Sequence, residues 1–269
     1  MRLTTIVRDI AVRVYQSFPG SSLKVKLKDS LYYFWFSHFN KYRFSTIYID
    51  NYFQLKFTNG IILKAHEDVL LPLALTLPGF LAHYELQEGD TVIDCGAHVG
   101  AFAIYAAKMV RIEGKVICFE PDPFNYNSLL RNIELNQMTN ITAINKGIWS
   151  EDTTMEFYSS ETSSPNSSLM LSRQSRAITK IPVVSLDSEL ERIRVKKVSF
   201  IKMDIEGAEI EAVKGSQHVL AYQNVNLAIA SYHVVNGQKT CFELERLLSK
   251  FGYRTHTSNV IHLTTYGTK

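Results

Sequence analysis

Three stretches of the chain place acidic residues at the ends of apolar runs, where a folded sheet presents ligand sites. The first reads Val92-Ile93-Asp94-Cys95-Gly96-Ala97-His98-Val99-Gly100. Its small residues allow a tight turn, and they let a ligand approach the backbone at the amino terminus of a following helix. A dinucleotide fingerprint needs Gly-x-Gly-x-x-Gly, whereas this turn has Gly-x-x-x-Gly with His98 in place of the second glycine. His98 crowds a pyrophosphate there, and Asp94 repels one while attracting an amine. The turn therefore favours a small zwitterionic or cationic nucleoside over a nicotinamide dinucleotide. In the second stretch, Cys118-Phe119-Glu120-Pro121, the acid stands 24 residues after Gly96. That spacing suits a carboxylate that accepts hydrogen bonds from both ribose hydroxyls. The competing reading of Glu120 is a helix cap.

The third stretch is Phe200-Ile201-Lys202-Met203-Asp204-Ile205-Glu206-Gly207-Ala208-Glu209. Residues two apart on a strand share a face, so Lys202 and Asp204 point the same way. Asp204 is placed to act as a general base or as a metal ligand. Glu206 and Glu209 either add carboxylates to the same crevice or supply amino-terminal charge to the next helix. Lys202 orients a substrate or pairs with Asp204, and pairing is the preferred reading. His233 follows the apolar run Val225–Ser231 and is the best general-base candidate, because an imidazole titrating near about 6.5 accepts a proton at neutral pH. No residue is assigned as a metal ligand by spacing, and metal dependence is left open.

The elements that carry these residues alternate after residue 90. Strand-like runs at 91–94, 115–120, 141–144, 198–204 and 225–231 are interleaved with helical patterns at 102–110, 124–137 and 209–220. Two more strands are expected at 155–158 and 181–184. A last helix is expected at 242–251, followed by a closing strand pair within 253–265. Such repetition implies a parallel sheet covered on both faces, with ligands at the strand carboxyl ends. Asn59-Gly60 between two alternating runs predicts a hairpin. The polar stretch Ser159–Ser175 reads as a flexible lid over an acceptor site.

The 269 residues carry 29 basic and 26 acidic side chains, but the charge is unevenly spread. Residues 1–45 hold eight basic against two acidic residues, net +6, leaving 21 against 24, net −3, for the remainder. Leu3, Ile6, Val7, Ile10, Val14 and Phe18 recur at helical spacing, and aromatic residues cluster from Tyr32 to Phe44. This extension packs on the main domain or touches an anionic membrane surface. An acidic core lacks the groove that tracks nucleic-acid phosphates, so no nucleic-acid partner is expected. Three widely spaced cysteines and the absence of a signal-peptide pattern point to the cytoplasm, with the inner membrane surface as the site of any peripheral contact.

Together, Val92–Gly100, Phe119-Glu120-Pro121 and Phe200–Glu209 resemble the FkbM family of S-adenosylmethionine-dependent methyltransferases. The third stretch resembles the family's Ile-Lys-x-Asp-x-Glu-Gly-x-Glu segment. His98 stands where many members have Asn, and Ser231 precedes Tyr232-His233 where many have an acid. The resemblance implies a Rossmann-like, doubly wound α/β fold, with a seven-stranded sheet whose last strand is antiparallel. It implies methyl transfer, usually to a hydroxyl oxygen. Asp94, Gly96, Ala97, His98, Gly100, Glu120 and Pro121 are then expected at the cofactor, and Asp204, His233 and Lys202 at the chemistry. Residues 76–269 form the methyltransferase domain in this reading, with a helical, aromatic and hairpin extension over 1–75. The acceptor is a hydroxyl on a glycan, a lipid-linked glycan or a secondary metabolite. The alternative is a nucleoside-binding module that keeps the sheet without the chemistry.

Overall fold

The computed structural model describes residues 44–49, 52–65, 76–159 and 177–269. The expected helix over 3–18, the aromatic residues before Phe44, the boundary at residue 75 and the Ser-rich stretch 160–175 lie outside them.

Strands β1 (Phe44–Ile49), β2 (Tyr52–Phe57) and β3 (Ile62–Ala65) form an antiparallel ladder. The Asn59-Gly60 turn joins β2 to β3 as expected, with Gly60 at φ 91° and the Asn59 side chain accepting from Ile61 N. Phe44, read from sequence as the end of an aromatic cluster, instead begins β1 and pairs with Phe57.

From β4 (Thr91–Cys95) the chain alternates through α1 (Ala101–Val110), β5 (Lys115–Phe119), α2 (Pro123–Leu135) and β6 (Ile141–Ile144). A small sheet follows, with β7 (Gly147–Ile148), β8 (Thr153–Ser159) and β9 (Ala177–Val184) in the order β7-β9-β8. The remaining elements are α3 (Leu186–Arg192), β10 (Phe200–Met203), α4 (Glu209–Lys214), α5 (Gln217–Tyr222), β11 (Asn226–Ala230), the short pair β12 (Val234–Val235) and β13 (Gln238–Lys239), α6 (Thr240–Ser249), β14 (Arg254–Asn259) and β15 (Leu263–Thr268). The main sheet runs β14-β15-β11-β10-β4-β5-β6. From β6 to β11 its neighbours are parallel, and β15 is antiparallel to both β11 and β14. This is the Rossmann-like seven-stranded sheet with a reversed last strand.

Alternation along the central strands covers both faces. Val92, Val116, Cys118 and Phe200 join a core with α1, whereas Ile93, Ile117, Phe119 and Ile201 join one with α4, α5 and α6. Burying each such Val, Ile or Phe side chain is worth about 1.5–3 kcal/mol, so a parallel sheet is stable here only because helices cover it twice. The hairpin is tied to the same body. Leu55, Phe57, Ile61 and Leu63 share the α1 core. Asn132 on α2 and Asn136 at its carboxyl-terminal cap each accept from and donate to the β3 backbone, at Lys64 and Ile62 respectively.

Two helices differ from the sequence reading. The single helix expected over 209–220 is split into α4 and α5 at Gly215-Ser216, where a Cβ on Gly215 would lie 2.1 Å from the Trp149 carbonyl oxygen. A neighbouring loop thus sits against the backbone at the break. Helix α3 has no counterpart among the expected elements. Ser185 caps it, accepting from Ser188 N, and Asp187 and Glu189 lie in its first turn. Among the described residues no helix is long and apolar enough to cross a membrane.

Candidate active site

The carboxyl ends of β4, β5, β10 and β11 lie side by side, and the loops that leave them build one crevice. After β4, Gly96 (φ 83°), His98 (φ 52°) and Gly100 (φ 93°) all adopt left-handed backbone. Asn, Asp and His tolerate this region better than other side-chain-bearing residues. That explains how a histidine is accommodated at this position. The Gly96 and Ala97 N–H groups both donate to the Phe119 carbonyl, at 3.0 and 2.9 Å, which clamps the loop to the end of β5. Gly96 has a second constraint: a Cβ there would lie 2.0 Å from the Asp204 carbonyl oxygen. Only glycine lets the β4 and β10 loops touch in this way, and the contact sets Asp204 beside the glycine turn.

Glu120 ends β5 and is 5% exposed. One of its oxygens accepts from His98 N at 2.7 Å and the other from Asp122 N at 2.9 Å. Asn145 holds the adjoining backbone by donating to the Glu120 and Pro121 carbonyls. Helix capping downstream belongs to Asp122, which accepts from Phe124 N and Asn125 N, so Glu120 is not the cap. Burial pushes the Glu120 carboxyl up to about 7, against the two backbone donors. A carboxylate offers about four lone-pair sites, and two are used by the loop. The others suit ribose hydroxyls. The glycine turn, the Glu120 carboxylate and the lack of a side-chain cap on α1 therefore fit the nucleoside of S-adenosylmethionine.

Asp94 and Lys202 lie beneath this loop and not in the crevice. They are directly opposite each other on β4 and β10, with Lys202 Nζ 2.9 Å from Asp94 Oδ1. Asp94 is wholly buried, and its burial pushes the carboxyl up against the opposing pull of Lys202. Lys202 Nζ donates to the Gly96 carbonyl at 2.7 Å and sits over the Phe80 ring. Burial pulls the Lys202 ammonium down, but Asp94 and Asp204 outweigh burial and raise it. The sequence reading pairs Lys202 with Asp204; the ladder register pairs it instead with Asp94. Both residues thus reach a ligand only through the loop they support.

Asp204, Glu206, Glu209, Tyr232 and His233 gather on the other side of the crevice. Glu206 (φ 56°) and Gly207 (φ 101°) are consecutive left-handed residues after β10. Glu209 Oε1 accepts from Ile205 N and Gly207 N, stapling that turn. The same oxygen lies 3.0 Å from His233 Nδ1, while His233 Nε2 lies 3.5 Å from Glu206 and 3.9 Å from Asp204. His233 is fixed by its own backbone, since its carbonyl accepts from Thr240 N at the start of α6. Ser231, wholly buried, accepts from Thr265 and donates to Leu263, which locks the end of β11 against β15. Tyr232 donates its hydroxyl to Asp204 Oδ1 at 3.1 Å. Burial and the nearby carboxylates raise the phenol well above its usual range, so it stays a donor.

The sequence alone suggests an ordinary pKa for His233, and the structure corrects this. Burial would lower the imidazole, but Glu206, Glu209 and Asp204 overcome that and push it up to about 10. The three carboxylates thus favour the protonated ring. The sequence reading gives Tyr232 no role; its only signal is its place beside His233 at a strand end. Both alternatives for Glu209 hold at once, since it lies in the first turn of α4 and also faces His233.

The Methyltransferase FkbM domain family matches residues 94–255. Methyltransferase 1 of Beauveria bassiana is 23% identical over 143 residues, which is 46% of this chain and 57% of that protein. Hexuronic acid methyltransferase AglP of Haloferax volcanii is 28% identical over 149 residues, or 55% of this chain and 58% of that protein. Methyltransferase sdnD of Sordaria araneosa is 26% identical over 160 residues, 48% of this chain and 61% of its own length. The chain thus spans about three-fifths of the length of these curated relatives. The crystal structure of Methyltransferase FkbM from Methylobacillus flagellatus superposes with a TM-score of 0.55 at 20% identity, over 72% of this chain and 47% of that one, and shares the fold. With the matched segment beginning at Asp94 on β4, just before the glycine turn, and running past His233, the chain belongs to the FkbM family of S-adenosylmethionine-dependent methyltransferases.

Proposed function

We propose that the protein transfers a methyl group to a hydroxyl oxygen of a glycan, lipid-linked glycan or secondary metabolite. The observation that carries this reading is the convergence of Asp204, Tyr232 and His233 beside the glycine turn, so that nucleoside and proton-handling groups share one crevice. When bound, S-adenosylmethionine supplies an electrophilic methyl on a sulfonium. The chain's part is to hold the nucleoside through Glu120 and the backbone of Gly96–Gly100, and to present an acceptor hydroxyl in line. Positioning of this kind is a large share of the acceleration in a bimolecular displacement. Tyr232 holds Asp204 Oδ1, which leaves Oδ2 to take the hydroxyl proton. The acidic cluster attracts a sulfonium and repels polyanions. An acceptor containing sugar is favoured by the similarity to a hexuronic acid methyltransferase, and the secondary-metabolite class is kept beside it.

The test is transfer of an isotope-labelled methyl from S-adenosylmethionine to hydroxyl-bearing glycans and metabolites. A methyl ether formed on a hydroxyl survives alkali. Release of the label as methanol under alkali means a carboxylate was the acceptor, and no transfer to any such acceptor, with cofactor binding retained, supports the non-catalytic module.

A further inference from the structure

Three carboxylates surround one imidazole at the acceptor side of the crevice, and their geometry is that of a coordination site. Asp204, Glu206 and His233 can each offer one ligand atom, and these atoms lie within 4.8 Å of one another. Donors around a small divalent cation sit at about 2.0–2.2 Å from the ion. Opposed donors are then about 4 Å apart, so modest contraction of this triad closes it on a cation. The ring of His233 is nine-tenths buried, and neither of its nitrogens makes a well-aligned hydrogen bond. Its Nε2 is aimed between Asp204 and Glu206.

Glu209 supplies the outer support that metal-binding histidines usually have. Wholly buried, it faces Nδ1 at 3.0 Å. It cannot swing away, because two backbone N–H groups hold Oε1. Its other oxygen, Oε2, is buried without a hydrogen-bond partner. With the hydrogen on Nδ1 directed at Glu209, Nε2 faces the two front carboxylates, where a cation takes the place of its proton. Glu206 reaches its place through left-handed backbone that a non-glycine residue seldom adopts; such conformations persist where a site demands them. The nearby buried cation, Lys202, is committed to Asp94 and the Gly96 carbonyl.

We infer that Asp204 Oδ1, Glu206 and His233 Nε2 bind one divalent transition-metal ion, with Glu209 as a positioning residue behind the imidazole. Mixed carboxylate and imidazole donors suit Mn²⁺ better than Mg²⁺, which prefers oxygen alone. Asp204 and Glu206 are partly exposed, so a cation held there keeps coordination positions for an acceptor hydroxyl, whose acidity it raises. That role rests on the O-methyl-transfer reading. In the step it assists, the acceptor O–H bond breaks and its proton passes to Asp204 Oδ2 and then to water. The acceptor oxygen forms the new C–O bond. The C–S bond breaks with its electron pair left on sulfur.

The test is titration of the full chain with Mn²⁺, followed by loss of the free-ion electron paramagnetic resonance signal, with no cofactor or acceptor present. One ion per chain is expected, with Glu206→Gln and His233→Gln each weakening binding at least tenfold. Glu113→Gln, an exposed loop carboxylate outside the cluster, should bind as the parent does. Circular dichroism identifies a variant that has not folded, and the other variant then carries the comparison. No bound Mn²⁺ at millimolar ion, or equal binding by parent and both variants, overturns the site. Calorimetry with S-adenosylmethionine on the same preparation separates the two claims. Methyl transfer that proceeds unchanged in chelator overturns the cation's part in the reaction alone. Mn²⁺ binding lost in the variants, together with no cofactor binding, upholds the site and removes the methyl-transfer reading.

Discussion

Lys202→Met tests whether the glycine turn stands on a buried ion pair. The substitution keeps the length and apolar contacts of the side chain but removes its charge. Asp94 would then face no cation, although it is 0% exposed. Breaking one side of a buried pair costs about 3–5 kcal/mol, because the remaining charge is stranded. The lost bond to the Gly96 carbonyl falls within that figure. For domains of about this size each kcal/mol moves Tm by roughly 2–4 °C, so the melting point should fall by about 6–20 °C in differential scanning calorimetry. The double variant Asp94→Asn/Lys202→Met is the discriminating partner. Its asparagine keeps the size of the aspartate but carries no charge, so the double variant should regain more than half of the loss. A single variant that melts within about 2 °C of the parent refutes the reasoning. So does a double variant less stable than the single one, since the pair would then not be the source of the effect.

Glu120 gives a pH prediction. Its folded-state carboxyl is raised to about 7, so between the unfolded value of about 4.3 and 7 the folded state holds more protons than the unfolded state. Stability of the ligand-free protein should therefore decline as pH rises through that window, and Glu120→Gln should remove this component in urea unfolding at pH 5 and pH 7.5. If the carboxylate receives ribose hydroxyls, cofactor affinity should also tighten from pH 6 to pH 8 in the parent more than in Glu120→Gln; equal pH dependence contradicts the contact. Gly96→Ala places a methyl 2.0 Å from the Asp204 carbonyl at φ 83°, and should reduce both stability and cofactor binding in thermal shift and calorimetry. Gly252→Ala, also at positive φ but with open space, should reduce stability alone. Tyr232→Phe removes a hydrogen bond to a charged group, worth about 1.5–3 kcal/mol. It should lower kcat at least tenfold with little change in cofactor affinity; unchanged turnover means that Tyr232 does not orient Asp204.

Much of the sheet was legible because buried parallel strands leave apolar runs and their helices leave a 3.6-residue period. The reversed β15 came from family resemblance, since no local pattern in Leu263–Thr268 distinguishes parallel from antiparallel pairing. Helix α3 could have been found from Ser185 with Asp187 and Glu189 in the turn that follows. The approach of Trp149 to Gly215 at the α4–α5 break could not, because it joins positions 66 apart in the chain. The site divides in the same way. Glycine spacing and Glu120 are local signals, and the resemblance named them. The partner of Lys202 depends on strand register, where Asp94 is 108 residues away but directly opposite. The state of His233 depends on three carboxylates brought round it by two loops, so its ordinary pKa was a poor guide.

Calorimetric titration of the full chain with S-adenosylmethionine tests the central claim most directly. The account predicts one molecule bound per chain, with affinity reduced at least tenfold by Glu120→Ala. Absence of binding at millimolar cofactor, or binding that Glu120→Ala leaves unchanged, contradicts it.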